Sequence, residues 1–191
     1  PLGDDTIDQT GLNAGLYELA TAGEICSYFD QVMRQTFLPS GRVSYFPMSE
    51  FLERGLIVGF SNPVRRDLVV DGMSFEVKFE NAEGRNNYCR CNLREKRIGG
   101  LRLRPPCSLD PPPADDNSAF VNGVRWLPGD IPDVLRRSGG RILVVIHCDW
   151  IVDEKGKSVD GNHIAPWLPN APTGDKIAGG TFESWFNLTP Q

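Results

Sequence analysis

The chain's two histidines, His147 and His163, both stand beside carboxylates, in His147-Cys148-Asp149 and Asp160-Gly161-Asn162-His163. Two imidazole nitrogens and two carboxylates, carried on segments that one hairpin could bring together, suit Zn²⁺ or a similar divalent ion. Water bound to such a metal would serve as a hydrolytic nucleophile. The set His147, Asp149, Asp160 and His163 therefore defines one candidate, a small metal-dependent hydrolase. Its spacing matches no established ligand motif, and a structural reading stands beside it. His147 ends an apolar run and can serve as a strand-end residue, while Asp160-Gly161-Asn162 is ordinary turn chemistry. Cys148 does not pair with His147 as nucleophile and base, because neighbours on a strand point to opposite faces. No Gly-x-Ser-x-Gly elbow occurs.

A second candidate is electrostatic. Between Arg85 and Arg104 stand Arg85, Arg90, Arg94, Lys96, Arg97, Arg102 and Arg104 against Glu95 alone, so this stretch carries +6 and the remainder of a −5 chain carries −11. Arg90, Arg94, Lys96, Arg97 and Arg102 are its ligand candidates, and phosphate or another acidic partner is the ligand they suit. The alternative is a solvated strand edge, where charge discourages strand-to-strand aggregation. Only Tyr88 interleaves with these cations, so the stacking platform of a single-strand nucleic-acid binder is missing. A third candidate is Glu183 with Trp185. Alternation puts Thr181, Glu183 and Trp185 on one strand face, where a carboxylate against an aromatic wall could be a raised-pKa acid or a sugar platform. Phe182, Ser184 and Phe186 then lie on the other face, and the plainer reading of these aromatics is core or a partner interface.

Five cysteines, Cys26, Cys89, Cys91, Cys107 and Cys148, are an odd count at irregular spacing. They do not read as the disulfide framework of a small secreted domain. Reduced thiols in a cytoplasmic protein are the expectation. With 191 residues and 40% hydrophobic composition a packed core is within reach, while no apolar run approaches the ~20 residues of a membrane-spanning helix. Fifteen prolines and 20 glycines argue for many turns and against a helical bundle. The acidic pI of 5.1 makes nucleic acid an improbable partner overall.

The elements that must position these candidates follow from periodicity. Thr21 and Glu24 have capping-box spacing, and Ile25, Phe29, Val32, Met33 and Phe37 recur at helical intervals. The spacing predicts one amphipathic helix over about 22–38, ended by Leu38-Pro39-Ser40-Gly41. Phe75, Val77 and Phe79 alternate with Glu76, Lys78 and Glu80 after Asp71-Gly72, which predicts a hairpin with one buried face. Leu56–Phe60 and Ile98–Arg104 are weaker strands. Ile142–Ile146 is a continuous β-branched run, as in a central strand covered on both faces. Pro105-Pro106 and Pro111-Pro112-Pro113 form an extended connector over 105–117, dividing 1–104, a helix plus hairpin, from a β-rich 118–191. The expected fold is α+β, a mostly antiparallel sheet with the helix packed on it.

One resemblance cuts across this reading. Pro1-Leu2-Gly3-Asp4, Gly11-Leu12-Asn13-Ala14-Gly15-Leu16-Tyr17, Tyr28-Phe29-Asp30-Gln31-Val32-Met33, Phe37-Leu38-Pro39-Ser40-Gly41 and Tyr45-Phe46-Pro47-Met48 resemble an internal segment of FAD- and NAD(P)-binding oxidoreductases. These are relatives of flavin-dependent monooxygenases and pyridine nucleotide-disulphide oxidoreductases. The resemblance covers about residues 1–52, with a fainter echo from Val124-Arg125-Trp126-Leu127-Pro128 to Val145. It implies FAD and NAD(P) as the family's cofactors, and the rest of a longer parent polypeptide or another protein as the partner. The family's glycine-rich turn is nevertheless missing. No Gly-x-Gly-x-x-Gly occurs, and His147-Cys148-Asp149-Trp150 follows the Ile142–Ile146 run, where glycines would let backbone amides approach a pyrophosphate. The chain therefore reads as a non-catalytic or incomplete relative, or an interior fragment, of such an enzyme. An autonomous β-rich binding module is the alternative.

Overall fold

A computed structural model describes residues 25–27, 34–38, 41–80, 88–104, 112–162 and 174–190, with side chains described from Phe46 onward. It is strand-dominated. The strands are β1 (Ile25–Ser27), β2 (Arg34–Leu38), β3 (Gly41–Pro47), β4 (Leu56–Arg65), β5 (Phe75–Glu80), β6 (Tyr88–Arg90), β7 (Gly99–Arg102), β8 (Ala114–Asp115), β9 (Phe120–Trp126), β10 (Gly140–His147) and β11 (Thr181–Thr189). Two six-residue helices, α1 (Met48–Glu53) and α2 (Asp133–Ser138), and two 3-10 turns, Arg66–Leu68 and Cys148–Trp150, join them. Among the described residues, no helix is long and apolar enough to cross a membrane.

The strands form two sheets, ordered β1-β4-β9-β7-β8 and β2-β3-β11-β10-β5-β6. Every pairing is antiparallel except β3 with β11. Their inner faces share one core. In the second sheet, three rungs cross β11, β10 and β5 in register: Phe186–Ile142–Phe79, Ser184–Val144–Val77 and Phe182–Ile146–Phe75. Leu56, Val58, Phe60, Val64, Val121, Val124 and Trp126 meet them from the first sheet in the same buried cluster. Phe51 of α1 packs on Trp126, ring centroids 6.1 Å apart. Burying apolar area of this kind, at roughly 25 cal/mol per Å², is what holds two sheets face to face.

Several expectations hold at the level of elements. β10 is a central strand with Ile142, Val144 and Ile146 fully buried, and β11 alternates as expected, Phe182, Ser184 and Phe186 inward and Thr181, Glu183 and Trp185 exposed. Three others change. The helix expected over 22–38 is replaced, where the chain is described, by β1 and β2. β1 pairs with Val58–Phe60, and β2 folds back on β3 in the register Leu38↔Gly41. The apolar residues that fit a helical stripe also fit extended chain, and Thr36 and Phe37 favour strands. The predicted hairpin keeps its turn, with Gly72 at φ +76°, but Phe75–Glu80 pairs with β10 and β6 rather than with Leu68–Val70. Val70 instead accepts the amides of Met73, Ser74 and Phe75. Finally, β4 continues past Phe60 through a bulge, where the step from Gly59 to Val64 faces only Gly123 to Val121 on β9. A bulge lets Pro63 sit inside a strand without a missing ladder bond.

The proline-rich connector is not a boundary between sheets. β7 and β9, from either side of it, are neighbours in the first sheet, and β5 and β10 are neighbours in the second.

Candidate functional site

Three residues of the metal hypothesis, His147, Asp149 and Asp160, make contacts within the fold. His147 Nε2 lies 3.5 Å from Glu76 Oε1, and its ring packs against Trp150 at 5.4 Å. Asp149 Oδ1 accepts the Gly180 amide at 3.0 Å. Asp160 is fully buried and accepts the amides of Asn162 and Lys176, at 3.1 and 2.6 Å. Burial pushes its carboxyl above the ordinary value, against the pull of those amides. Asp149 and Asp160 thus pin the chain that leads into β11. Among the described residues, no group of three or more His, Cys, Asp or Glu is placed to hold a metal ion. His163 lies outside the described residues.

Glu183 and Trp185 sit on the outer face of the second sheet. Trp185 is exposed, and Arg141 lies over its ring, 4.9 Å from the centroid. One ring face is therefore already occupied by a cation. On the same outer face Glu183, Val145 and Glu76 stand in one cross-strand row. Glu76 pairs with Lys78, which, with a lesser part from His147, holds its carboxyl below the usual range.

The basic stretch divides into two groups. Arg90, Arg94 and Arg102 have fixed structural partners. Arg90 pairs with Asp71. Arg94 donates to the carbonyls of Leu52 and Pro128, at 2.8 and 3.1 Å. Arg102 Nε meets Asp116 Oδ2 at 3.1 Å. Lys96 and Arg97 instead sit exposed on the bend before β7 and, among the described residues, make no hydrogen bond or ion pair. Arg85 lies outside the described residues. Both Lys96 and Arg97 line a cleft of about 800 Å³ with Arg66, Val69, Val70, Leu93 and Ile98. Arg66 falls outside the basic stretch in sequence. Only the tertiary placement of the 3-10 turn after β4 brings it to this cleft, where it donates to Asn117 Oδ1 at 3.0 Å. Nothing in the local sequence around Arg65-Arg66 distinguishes the second arginine from the first, which pairs with Asp67.

Two of the described cysteines are not poised to react. Cys91 and Cys148 are buried, and burial pushes both thiols up to about 12, so neither is a thiolate at neutral pH.

No family model and no solved structure matches the chain. Similarity is found to uncharacterized proteins of Mycobacterium bovis and of two strains of Mycobacterium tuberculosis, each 63% identical over 54 residues. That match covers 28% of this chain and 10% of each relative. The stretch shared with the curated relatives is thus about a tenth of their length.

Proposed function

We infer that this chain is a non-catalytic or incomplete relative, or an interior segment, of a flavin-dependent oxidoreductase, without a dinucleotide-binding loop of its own. The observation that supports the missing loop is the course of β10. A dinucleotide site needs a strand that enters a glycine-rich turn and then a helix, within a parallel sheet. β10 has antiparallel neighbours on both sides, β11 and β5, and runs into the 3-10 turn Cys148–Trp150. The resemblance of residues 1–52 to the oxidoreductase segment supports the kinship. A 54-residue stretch shared with much longer relatives supports the interior-segment part of the reading. A cytoplasmic location belongs to the same reading.

The test has two parts. Titration of the purified chain with FAD and NADPH, followed by flavin and nicotinamide fluorescence, is expected to show no saturable binding. Stoichiometric flavin would overturn the reading. The surrounding reading frame is expected to encode glycine-rich loops in the same frame. A frame that contains none would instead favour the autonomous β-rich binding module, which the single core shared by both sheets also supports.

A further inference from the structure

The cleft between the Arg66–Leu68 turn and the Asn92–Ile98 segment has the size of a small-molecule site and a strongly charged lining. Its lining includes four cations, Arg66, Arg90, Lys96 and Arg97, and three carboxylates, Asp67, Asp71 and Glu95. Two carboxylates are already neutralised, Asp71 by Arg90 and Asp67 by Arg65. What remains is Arg66, Lys96 and Arg97 around one concavity, opposed by the exposed Glu95. Against Glu95 these three leave a surplus of two positive charges around a shared space, and an anion between them relieves the remaining repulsion. Guanidinium forks match the oxygens of a phosphate group, and an ammonium adds a mobile third donor. The wall is not polar throughout. Val69 and Ile98 are buried beneath it, and Val70 is 39% exposed on it.

We propose that this cleft binds a phosphorylated small molecule, its phosphate held by Arg66, Lys96 and Arg97 and its apolar body laid against Val69, Val70 and Ile98. The proposal does not depend on the oxidoreductase kinship. The cleft is built by the turn after β4 and by the strand-to-strand passage before β7, remote in sequence from the β10 turn.

The test is calorimetric titration of the whole chain at low salt with phenyl phosphate and, separately, with inorganic phosphate. Saturable one-to-one binding of phenyl phosphate is expected, at least ten-fold tighter than inorganic phosphate, and weakening as salt is raised. Arg66→Gln and the double variant Lys96→Ala/Arg97→Ala should each weaken it at least ten-fold. Backbone amide shifts on titration should centre on Val69, Val70, Asn92 and Ile98, a readout that does not depend on any variant folding well. Absence of saturable binding, equal affinity for the two anions, undiminished binding in well-folded variants, or shifts centred elsewhere would each overturn the proposal.

Discussion

The indole Nε1 of Trp126 donates to Asp71 Oδ1 at 2.8 Å, while Arg90 closes on the other carboxylate oxygen. One carboxylate thereby ties the end of β9 in the first sheet to the edge strand β6 of the second. Trp126 is fully buried, so its N–H has lost water and depends on this acceptor.

Removing the acceptor should cost more than an average hydrogen bond. Asp71→Ala leaves a buried indole N–H without a partner, and is expected to lower stability by about 1–3 kcal/mol in urea unfolding. Trp126→Phe should destabilise as well, and the double variant should show a coupling of about 0.5 kcal/mol or more. Strict additivity of the two losses would show that the contact contributes nothing.

Adjacent aromatics on β11 should behave oppositely. Phe186 is fully buried, 5.2 Å from the ring of Phe46, so Phe186→Ala should cost about 3–5 kcal/mol. Trp185→Ala removes an exposed ring whose described contact is Arg141, and should cost about 1 kcal/mol or less. Comparable losses in thermal melts of the two variants would contradict the facing of β11.

Acid should weaken the fold through Asp116. The Ser118 hydroxyl and amide, at 2.5 and 2.9 Å, and then Arg102 hold its carboxyl down at about 2, below the ordinary 3.8. A depressed folded-state value gives stability that is present above about pH 4 and lost as pH falls toward 2. Asp160 has the opposite sign. Its raised value means the folded state holds the proton more tightly, so its contribution falls as pH rises above 3.8. Urea midpoints measured from pH 2 to 6 should therefore show a shallower acid loss in Asp116→Asn and a steeper one in Asp160→Asn than in the parent chain. Identical profiles would remove both assignments.

Gly139 links α2 to β10 at φ +68°, and a Cβ there would stand 2.3 Å from the Leu188 carbonyl oxygen. Gly139→Ala is expected to cost about 1–3 kcal/mol, from strain and displacement of the strand end. A melt unchanged by the substitution would mean that β10 and β11 can separate at that end without penalty.

The strands that could be read in advance are those whose burial repeats locally. Phe75, Val77, Phe182 and Phe186 lie inward because period-two alternation fixes a face without reference to any partner. Ile142–Ile146 announced a central strand, and β11 and β5 pair with it on either side. Ile25–Ser27 and Arg34–Leu38 misled because a spaced apolar set fits helix and strand alike, and pairing with Val58–Phe60 and Gly41–Tyr45 decided between them. The candidate site was half legible. The charge excess of 85–104 was visible, but the sequence could not show that Arg90, Arg94 and Arg102 are taken by Asp71, two carbonyls and Asp116, or that Arg66 joins Lys96 and Arg97. What the sequence determined by itself was a β-rich chain, which faces of its strands are apolar, and a local surplus of cations. Which strand lies beside which, and which cations gather around one cleft, depended on contacts between distant residues, because pairing and charge neutralisation are settled by proximity in space rather than along the chain.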